Sequence, residues 1–368
     1  EEPGGTLPER LRAIIKPHVC LPQAAELKNM NQPALSKNRN PQSRSVNFRR
    51  DDYDVSDRVN LRDPEAVFSE VSKIMSNFCP GQMIDKVHSA FGNVTALYRG
   101  ELSGYHACDV PYHDLQHIMD VTLASTRLIT SYERRQRPGN RLGSERIMMG
   151  VILALFHDCG YIRNTQEDTR QNGAEYTLTH IARGAKYLEN YLPQIGLESQ
   201  IGLLTRLIEY TGYETPVENI KLDDTRDKML GYLVGSADLL AQMADRCYLE
   251  KCRDRLYPEF VLGGMTTRKD ENGSEITLYQ SAEELLEKTP EFYRRMVRPR
   301  LDEKFHRVAE YAADCFDGRN LYQEEIDRNL EYLELILKEK NFGLLRRHLH
   351  DTPESSAFPY ERIQPENT

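Results

Sequence analysis

The sequence has no long apolar run. No stretch of its 368 residues approaches the roughly 20 consecutive apolar residues that a membrane-spanning helix needs. The N-terminus Glu1–Gly5 also has no signal-like apolar region. These absences predict a cytoplasmic protein without a membrane segment in the given chain. Because the chain starts at Glu1 and not at an initiator Met, a sensor or membrane segment upstream of it stays open.

Closely spaced cysteines and an excess of basic residues are also missing. The seven cysteines are odd in number, scattered, and never spaced as Cys-x-x-Cys. This pattern speaks against a zinc ribbon or a disulfide frame and predicts reduced thiols. The 48 Lys and Arg residues are outnumbered by 57 Asp and Glu, which gives a net charge of −9. That balance argues against binding to a nucleic acid duplex, and an anionic small molecule would need local positive charge such as bound cations.

Runs of alternating β-branched residues are nearly absent, so the sequence predicts an all-α fold. Asp63 followed by Pro64 is typical of a helix start, because Asp caps a helix and Pro suits its first position. The polar stretch 263–277 is the exception, with Asn272-Gly273 as the tip of a hairpin. Apolar residues recur at helical spacing in the segments 64–78, 114–134, 145–158, 174–193, 197–211, 226–256, 281–310 and 322–340.

Composition divides the chain into three parts. Residues 1–60 are rich in Pro, Asn, Ser and Arg, and we interpret them as an N-terminal arm or linker that wraps a neighbour. Residues 61–345 are expected to form one compact helical bundle, and residues 346–368 a C-terminal tail. Pairing of two chains through surface helices would give a homodimer, and this possibility stays open. No heptad run is long enough for a coiled coil.

The segment Tyr112–His117 contains two histidines at ligand spacing. On a helix, His113 and His117 are four residues apart and share one face, with Asp120 three residues further along it. Two imidazoles and a carboxylate on one helical face are a plausible start of a metal site.

A second segment supplies further candidate ligands. The run Ile147–Phe156 is apolar on all sides, which predicts a buried helix that ends in His157-Asp158 with Gly160 as its stop. The negative end of the helix dipole would favour a cation bound by these two residues. Asp238 lies in another apolar helical stretch, where an unpaired carboxylate costs free energy, and this favours a ligand role for it.

Together these segments resemble the HD-domain metal-dependent phosphohydrolases. Tyr112–Val121 fits the pattern Tyr-His-x-x-x-His-x-x-(Asp/Asn)-Val of the class I 3',5'-cyclic nucleotide phosphodiesterase catalytic domain, in which an apolar helix ending in His-Asp follows. Gly235–Leu239 is similar to the stretch that holds that family's distal aspartate. Phe292–Pro299 is more weakly similar to its substrate-clamp helix. The resemblance implies that residues 61–345 are an HD-type, phosphodiesterase-like catalytic domain.

The resemblance implies a hydrolase for a phosphodiester, with a small-molecule phosphoester or nucleotide, such as a 3',5'-cyclic nucleotide, as substrate. It implies two divalent ions, Zn, Mg, Mn or Fe, and a metal-bridged hydroxide as nucleophile. His113 would be the general acid that protonates the departing alkoxide. The ligands that it implies for the first ion are His117, His157, Asp158 and Asp238, with Asp158 bridging to the second ion.

The sequence departs from that family at two places, namely the ligands of the second ion and the residue that reads the nucleotide base. Tyr161 stands where the family has its next histidine, and Glu175 and His180 are the other candidates for this region. His180-x-x-x-Gly184 is similar to the second-metal segment of broader HD phosphohydrolases. The family's purine-reading glutamine would fall near Thr289 of this sequence. The absence of that amide speaks against a cyclic nucleotide as substrate. Two alternatives stay open, namely a non-catalytic sensor or scaffold with one structural metal, and a di-iron oxygenase on the HD scaffold.

Overall fold

The computed structural model describes residues 50–166, 169–269, 274–347 and 349, and nearly all of its regular structure is helical. The fold is therefore all-α, as the sequence predicts. Short 3₁₀ and π-helical turns extend or join several helices, among them the π-helical turn Cys252–Leu256. The helices of the described residues are α1 Pro64–Met75, α2 Gly81–Tyr98, α3 Leu115–Arg135, α4 Ser144–Phe156, α5 His180–Tyr191, α6 Ile201–Leu207, α7 Thr225–Ala244, α8 Tyr248–Lys251, α9 Tyr257–Leu262, α10 Ala282–Phe292 and α11 Leu321–Glu339.

A two-stranded hairpin interrupts the helices where the sequence predicts a polar excursion. Strands β1 (Thr267–Lys269) and β2 (Glu275–Thr277) are antiparallel, with Thr267 opposite Thr277. The predicted tip, Asn272-Gly273, lies outside the described residues, as do residues 1–49 of the predicted arm and most of the predicted tail.

Helix α3 is the centre of the bundle. Every residue from Leu115 to Glu133 is buried, and the helix packs against α7, α4 and α1. Its threonines satisfy their hydroxyl groups within the helix, since Thr122 and Thr126 donate to carbonyls four residues earlier, at 2.8 Å each. The core can therefore enclose a helix that carries polar side chains along its length.

Helix α4 is buried on all sides, as its apolar sequence predicts, and every residue from Ile147 to Phe156 is buried. It ends at Phe156, and His157 is its C-cap. Gly160 has a different role from the predicted helix stop, because it lies in the next 3₁₀ turn, Cys159–Tyr161. A Cβ on Gly160 would lie 1.8 Å from the carbonyl oxygen of His180, so the glycine allows α5 to pack directly on this turn.

The chain before α1 is attached to the core by a buried ion pair. The Asp54 carboxylate accepts hydrogen bonds from Arg127 at 2.6 Å and from the Val59 amide at 2.8 Å. Arg127 also donates to the Tyr322 hydroxyl at 3.0 Å. Val55 and Val59 are buried in the same core. The last residues of the predicted arm therefore pack with the helical bundle.

No helix in the described ranges has the length and apolar character needed to cross a bilayer. The six cysteines in these ranges are free, in agreement with the predicted reduced thiols, and only Cys315 is more than slightly accessible.

Candidate metal centre

Three residues from two helices meet at one buried point. His117 comes from the first turn of α3, and His157 and Asp158 follow the end of α4. The two histidine Nε2 atoms are 3.4 Å apart. Asp158 Oδ2 lies 3.0 Å from His157 Nε2 and 3.4 Å from His117 Nε2. All three residues are buried, and the group could hold a metal ion.

Asp238, from the middle of α7, reaches the same point. Its Oδ1 lies 3.5 Å from His117 Nε2 and 3.7 Å from His157 Nε2. The Asp238 side chain is 17% exposed, and is therefore more accessible than the side chains of His117, His157 and Asp158. Three helices that are distant in sequence thus bring two imidazoles and two carboxylates together.

Neighbouring groups orient these side chains. His157 Nδ1 donates to the Ala154 carbonyl at 2.8 Å, which leaves the Nε2 lone pair directed at the group. Asp114 caps α3 by accepting from the His117 amide at 2.9 Å, and Arg255 holds that carboxylate at 2.7 Å. Neutral imidazole nitrogens and carboxylate oxygens are donors that suit Zn, Fe or Mn.

The electrostatics of the group favour positive charge between the rings. Burial opposes protonation of His117, but hydrogen bonds to Asp158 and Asp238 outweigh it and raise the pKa of His117 to about 10. The two carboxylates therefore favour a positive charge at this point, which a proton on His117 or a bound divalent cation can supply.

His113 lies beside the group but not on the predicted helix face. Helix α3 begins at Leu115 because Asp114 takes the N-cap position, so His113 precedes the helix. The ring of His113 is edge-on to that of His117, with centroids 5.7 Å apart. The prediction that His113 and His117 share one face of a helix is therefore wrong, although the two rings are close to each other.

Glu259 holds the His113 ring and was not anticipated from the sequence. Its Oε1 is 2.5 Å from His113 Nδ1, and its Oε2 accepts from the Tyr112 amide at 2.8 Å. Burial opposes protonation of His113, but the carboxylates of Glu259 and Asp158 raise its pKa above the usual value. In the sequence, Glu259 is marked only as an acidic residue between Pro258 and Phe260. In the fold this residue is 1% exposed.

Tyr161 separates two histidines. Its ring stacks between those of His113 and His180, with both centroid distances at 4.6 Å and interplanar angles of 13° and 17°. Burial raises the pKa of the Tyr161 phenol well above its usual value, so the side chain stays neutral at physiological pH. Tyr161 therefore lies between the two imidazoles as a stacked spacer and sets the distance between their rings.

His180 faces the second oxygen of Asp158. Its Nε2 lies 3.6 Å from Asp158 Oδ1, and its Nδ1 donates to the Thr177 carbonyl at 2.7 Å. The Asp158 carboxylate thus has one oxygen toward His117 and His157 and the other toward His180.

Glu175 has a capping role instead. It belongs to the 3₁₀ turn Gly173–Tyr176, which is separate from α5. Its Oε1 accepts the amides of Gln171 at 2.8 Å and Asn172 at 3.2 Å. The predicted single helix through Glu175 and His180 is therefore wrong, because a capped turn precedes α5.

Thr289 offers no group that could read a base. The residue is buried in α10, and its hydroxyl donates to the Leu285 carbonyl at 2.9 Å. The Thr289 hydroxyl is therefore engaged within its own helix.

Comparison with known proteins adds one partial match. A model of the Npun_R2479-like family matches residues 168–322. The matched part includes His180 and Asp238, whereas His113, His117 and the His157-Asp158 pair precede it. No curated protein matches the chain.

Proposed function

We propose that the protein is a metal-dependent phosphohydrolase that cleaves a phosphodiester. The observation that supports this most strongly is the position of Asp158, with Oδ2 toward His117 and His157 and Oδ1 toward His180. A carboxylate placed in this way can be shared by two divalent ions. Asp238 adds a further oxygen for the first ion, at 3.5 Å from His117 Nε2.

Two bound divalent ions supply charge neutralisation at the phosphoryl oxygens and acidify a water molecule for attack. The remaining task is to protonate the departing oxygen, because an alkoxide is a poor leaving group. His113 is suited to this step, since Glu259 holds its Nδ1 and leaves the Nε2 proton free to be given to the leaving oxygen. Burial opposes protonation of the ring, but the same carboxylate raises the His113 pKa and so favours the protonated form that a general acid needs.

The proposed substrate class is defined by the phosphodiester and not by a base. Thr289, near which the purine-reading glutamine of the resembled family would fall, is a buried threonine whose hydroxyl donates to the Leu285 carbonyl. A 3',5'-cyclic nucleotide is therefore one test substrate among several, and the likeness to class I phosphodiesterases supports only the reaction type.

The direct test is hydrolysis of bis(p-nitrophenyl) phosphate by protein reloaded with Zn²⁺, Mn²⁺ or Mg²⁺ after chelation. Asp158→Ala removes the carboxylate shared by both ions, so we expect loss of activity with every metal. Asp85→Ala, an exposed aspartate on α2, is the matched control and should retain full activity. Activity retained in Asp158→Ala would contradict the proposed mechanism.

A di-iron oxygenase is the second candidate, and His180 is the observation that favours it. An imidazole beside Asp158 Oδ1 gives the second position a nitrogen ligand that suits iron. Oxygen uptake by the iron-loaded protein, without consumption of any phosphodiester, would favour this candidate. Bound metal without turnover in either assay would instead indicate a sensor or scaffold.

A further inference from the structure

Two buried carboxylates hold the backbone that precedes α3. Asp114 has extended backbone angles, φ −86° and ψ 177°, and accepts from the His117 amide at 2.9 Å. Glu259 accepts from the amides of Tyr112 at 2.8 Å and His113 at 3.3 Å. The same carboxylate contacts the His113 ring, with its Oε1 2.5 Å from Nδ1. These contacts keep the residues before Leu115 out of the helix.

A helix that continued through His113 would give this residue a different role. His113 and His117 are four positions apart in the sequence, and on one helix their rings would share a face. Two histidines at this spacing on a helix are a common pair of zinc ligands. A longer α3 would therefore make His113 a candidate ligand of the first ion and take its ring away from Glu259.

Arg255 stabilises the helix start that the structure has. Its guanidinium donates to Asp114 Oδ2 at 2.7 Å. Asp114 is 2% exposed and Arg255 8%, so removal of one partner would leave the other charge buried at a cost in free energy. Arg255 belongs to the π-helical turn Cys252–Leu256, four residues before Glu259. One short segment thus supplies both the arginine that holds the cap and the carboxylate that holds the His113 ring.

We propose that Arg255 is a positioning residue, which holds Asp114 as the cap of α3 and thereby keeps His113 beside Glu259 as a proton donor and not as a metal ligand. The inference rests on the proposed function, in which His113 protonates the leaving oxygen. Arg255 acts through the start of α3 and does not have to touch the substrate. An uncharged cap at position 114 would not need the arginine, and this gives the inference a specific test.

Nuclear magnetic resonance of the full-length, Zn²⁺-loaded protein with isotope-labelled histidine reports the position of His113 without an activity assay. We expect Arg255→Met to shift the His113 ring signals, because Asp114 is then buried without the guanidinium. The signals of His157, whose ring is held by the Ala154 carbonyl, should stay unchanged and show that the variant is folded. Asp114→Asn combined with Arg255→Met should restore the His113 signals, since asparagine caps a helix without a charge.

The leaving-group dependence of kcat measures the catalytic consequence. For a diester with an alkoxide leaving group, Arg255→Met should lower kcat by about 10- to 100-fold, a part of the usual contribution of general acid catalysis. A nitrophenyl diester needs no proton on its leaving group and should be affected much less. The double variant should recover the wild-type rates. Arg137→Met, at an exposed arginine, is the matched control and should behave like the wild type.

The outcomes separate this inference from the proposed function. Unchanged His113 signals in Arg255→Met, or an equal fall of kcat on both diesters, would overturn the role of Arg255. Should Arg255→Met not fold, the double variant decides, since displaced His113 signals or a missing fold there would also overturn it. A wild type that cleaves no diester would overturn the proposed function, while the histidine signals still decide whether Arg255 positions His113.

Discussion

At the scale of single residues, the proposed role of His113 as general acid depends on how its ring is held. Glu259 fixes one ring nitrogen at 2.5 Å, so only the other can meet a substrate. Tyr161 stacks on the ring at 4.6 Å and keeps it apart from His180. These contacts give His113 one orientation, which is what a general acid needs.

His113→Asn should affect substrates according to how much their leaving group needs a proton. We expect kcat to fall by about 10² to 10⁴ for a diester with an alkoxide leaving group, the usual contribution of general acid catalysis. Nitrophenolate leaves without protonation, so kcat for a nitrophenyl diester should change much less. The measurement is kcat for both substrates with the same metal.

His106→Asn, at an exposed histidine, is the matched control for that comparison and should leave both rates unchanged. An equal loss on both substrates in His113→Asn would assign His113 to substrate or metal binding and remove it from the proton transfer.

Sequence spacing located some of these residues and missed others for a physical reason. His117 and the His157-Asp158 pair were predicted as ligands from the resemblance to the HD-domain motif, and Asp238 was also marked by its apolar surroundings. Glu259 meets His113 across 146 positions of the chain, so only the folded bundle brings them together.

At the scale of elements, helix ends decide how the site is built. The α3 start was predicted near residue 114, and the Asp114 cap places His113 just outside the helix. Periodicity runs without a break through residues 174–193, yet the structure has a 3₁₀ turn before α5 because side chains at 172 and 175 cap that turn. Caps of this kind compete with continued helix and leave little trace in the apolar pattern.

Gly160→Ala tests the packing of α5 on the turn after α4. The added Cβ would lie 1.8 Å from the His180 carbonyl oxygen, so α5 must move away. We expect the free energy of unfolding to fall by about 1 to 3 kcal/mol, the usual range for overpacking. Because His180 begins α5, the second Mn²⁺ should bind more weakly while the first is retained. Chemical denaturation and Mn²⁺ titration measure the two effects.

Gly202→Ala serves as the control, since a Cβ at this helical position meets nothing within 4 Å. Unchanged binding of both ions in Gly160→Ala would show that the close contact of α5 with the turn does not position His180.

At the scale of the whole molecule, buried polar contacts tie distant parts of the chain around α3. Asp54 before α1, Arg127 in α3 and Tyr322 in α11 form one hydrogen-bonded network. The sequence predicted the helical bundle and most of its helices, because their apolar periodicity is strong. It could not show that residues 50–60 pack into the core, since their polar composition resembles that of a linker and the ion pair forms only across the fold.

This network should make stability depend on acidity. Burial opposes ionisation of Asp54, but Arg127 and several hydrogen bonds lower its pKa from 3.8 to about 2. The folded state therefore gains about 2 kcal/mol from Asp54 above pH 4, and this gain is lost as the pH falls through about 2. Asp54→Asn should be less stable by about 3 to 5 kcal/mol at pH 7, because Arg127 would remain buried without its partner.

Urea unfolding of wild type and Asp54→Asn between pH 7 and pH 2 provides the measurement, and the stability difference should shrink toward low pH. An exposed-site variant, Asp85→Asn, should follow the wild type throughout. A difference between wild type and Asp54→Asn that stays constant with pH would rule out a depressed Asp54 pKa.

Side chains from three helices are proposed to hold divalent cations around Asp158. Anomalous diffraction at the manganese edge, from crystals grown with Mn²⁺, would locate these ions. We expect two peaks about 3.5 to 4 Å apart, one among His117, His157 and Asp238 and the other beside His180, with Asp158 between them. Fully occupied Mn²⁺ elsewhere in the crystal, with no peak among these side chains, would contradict it.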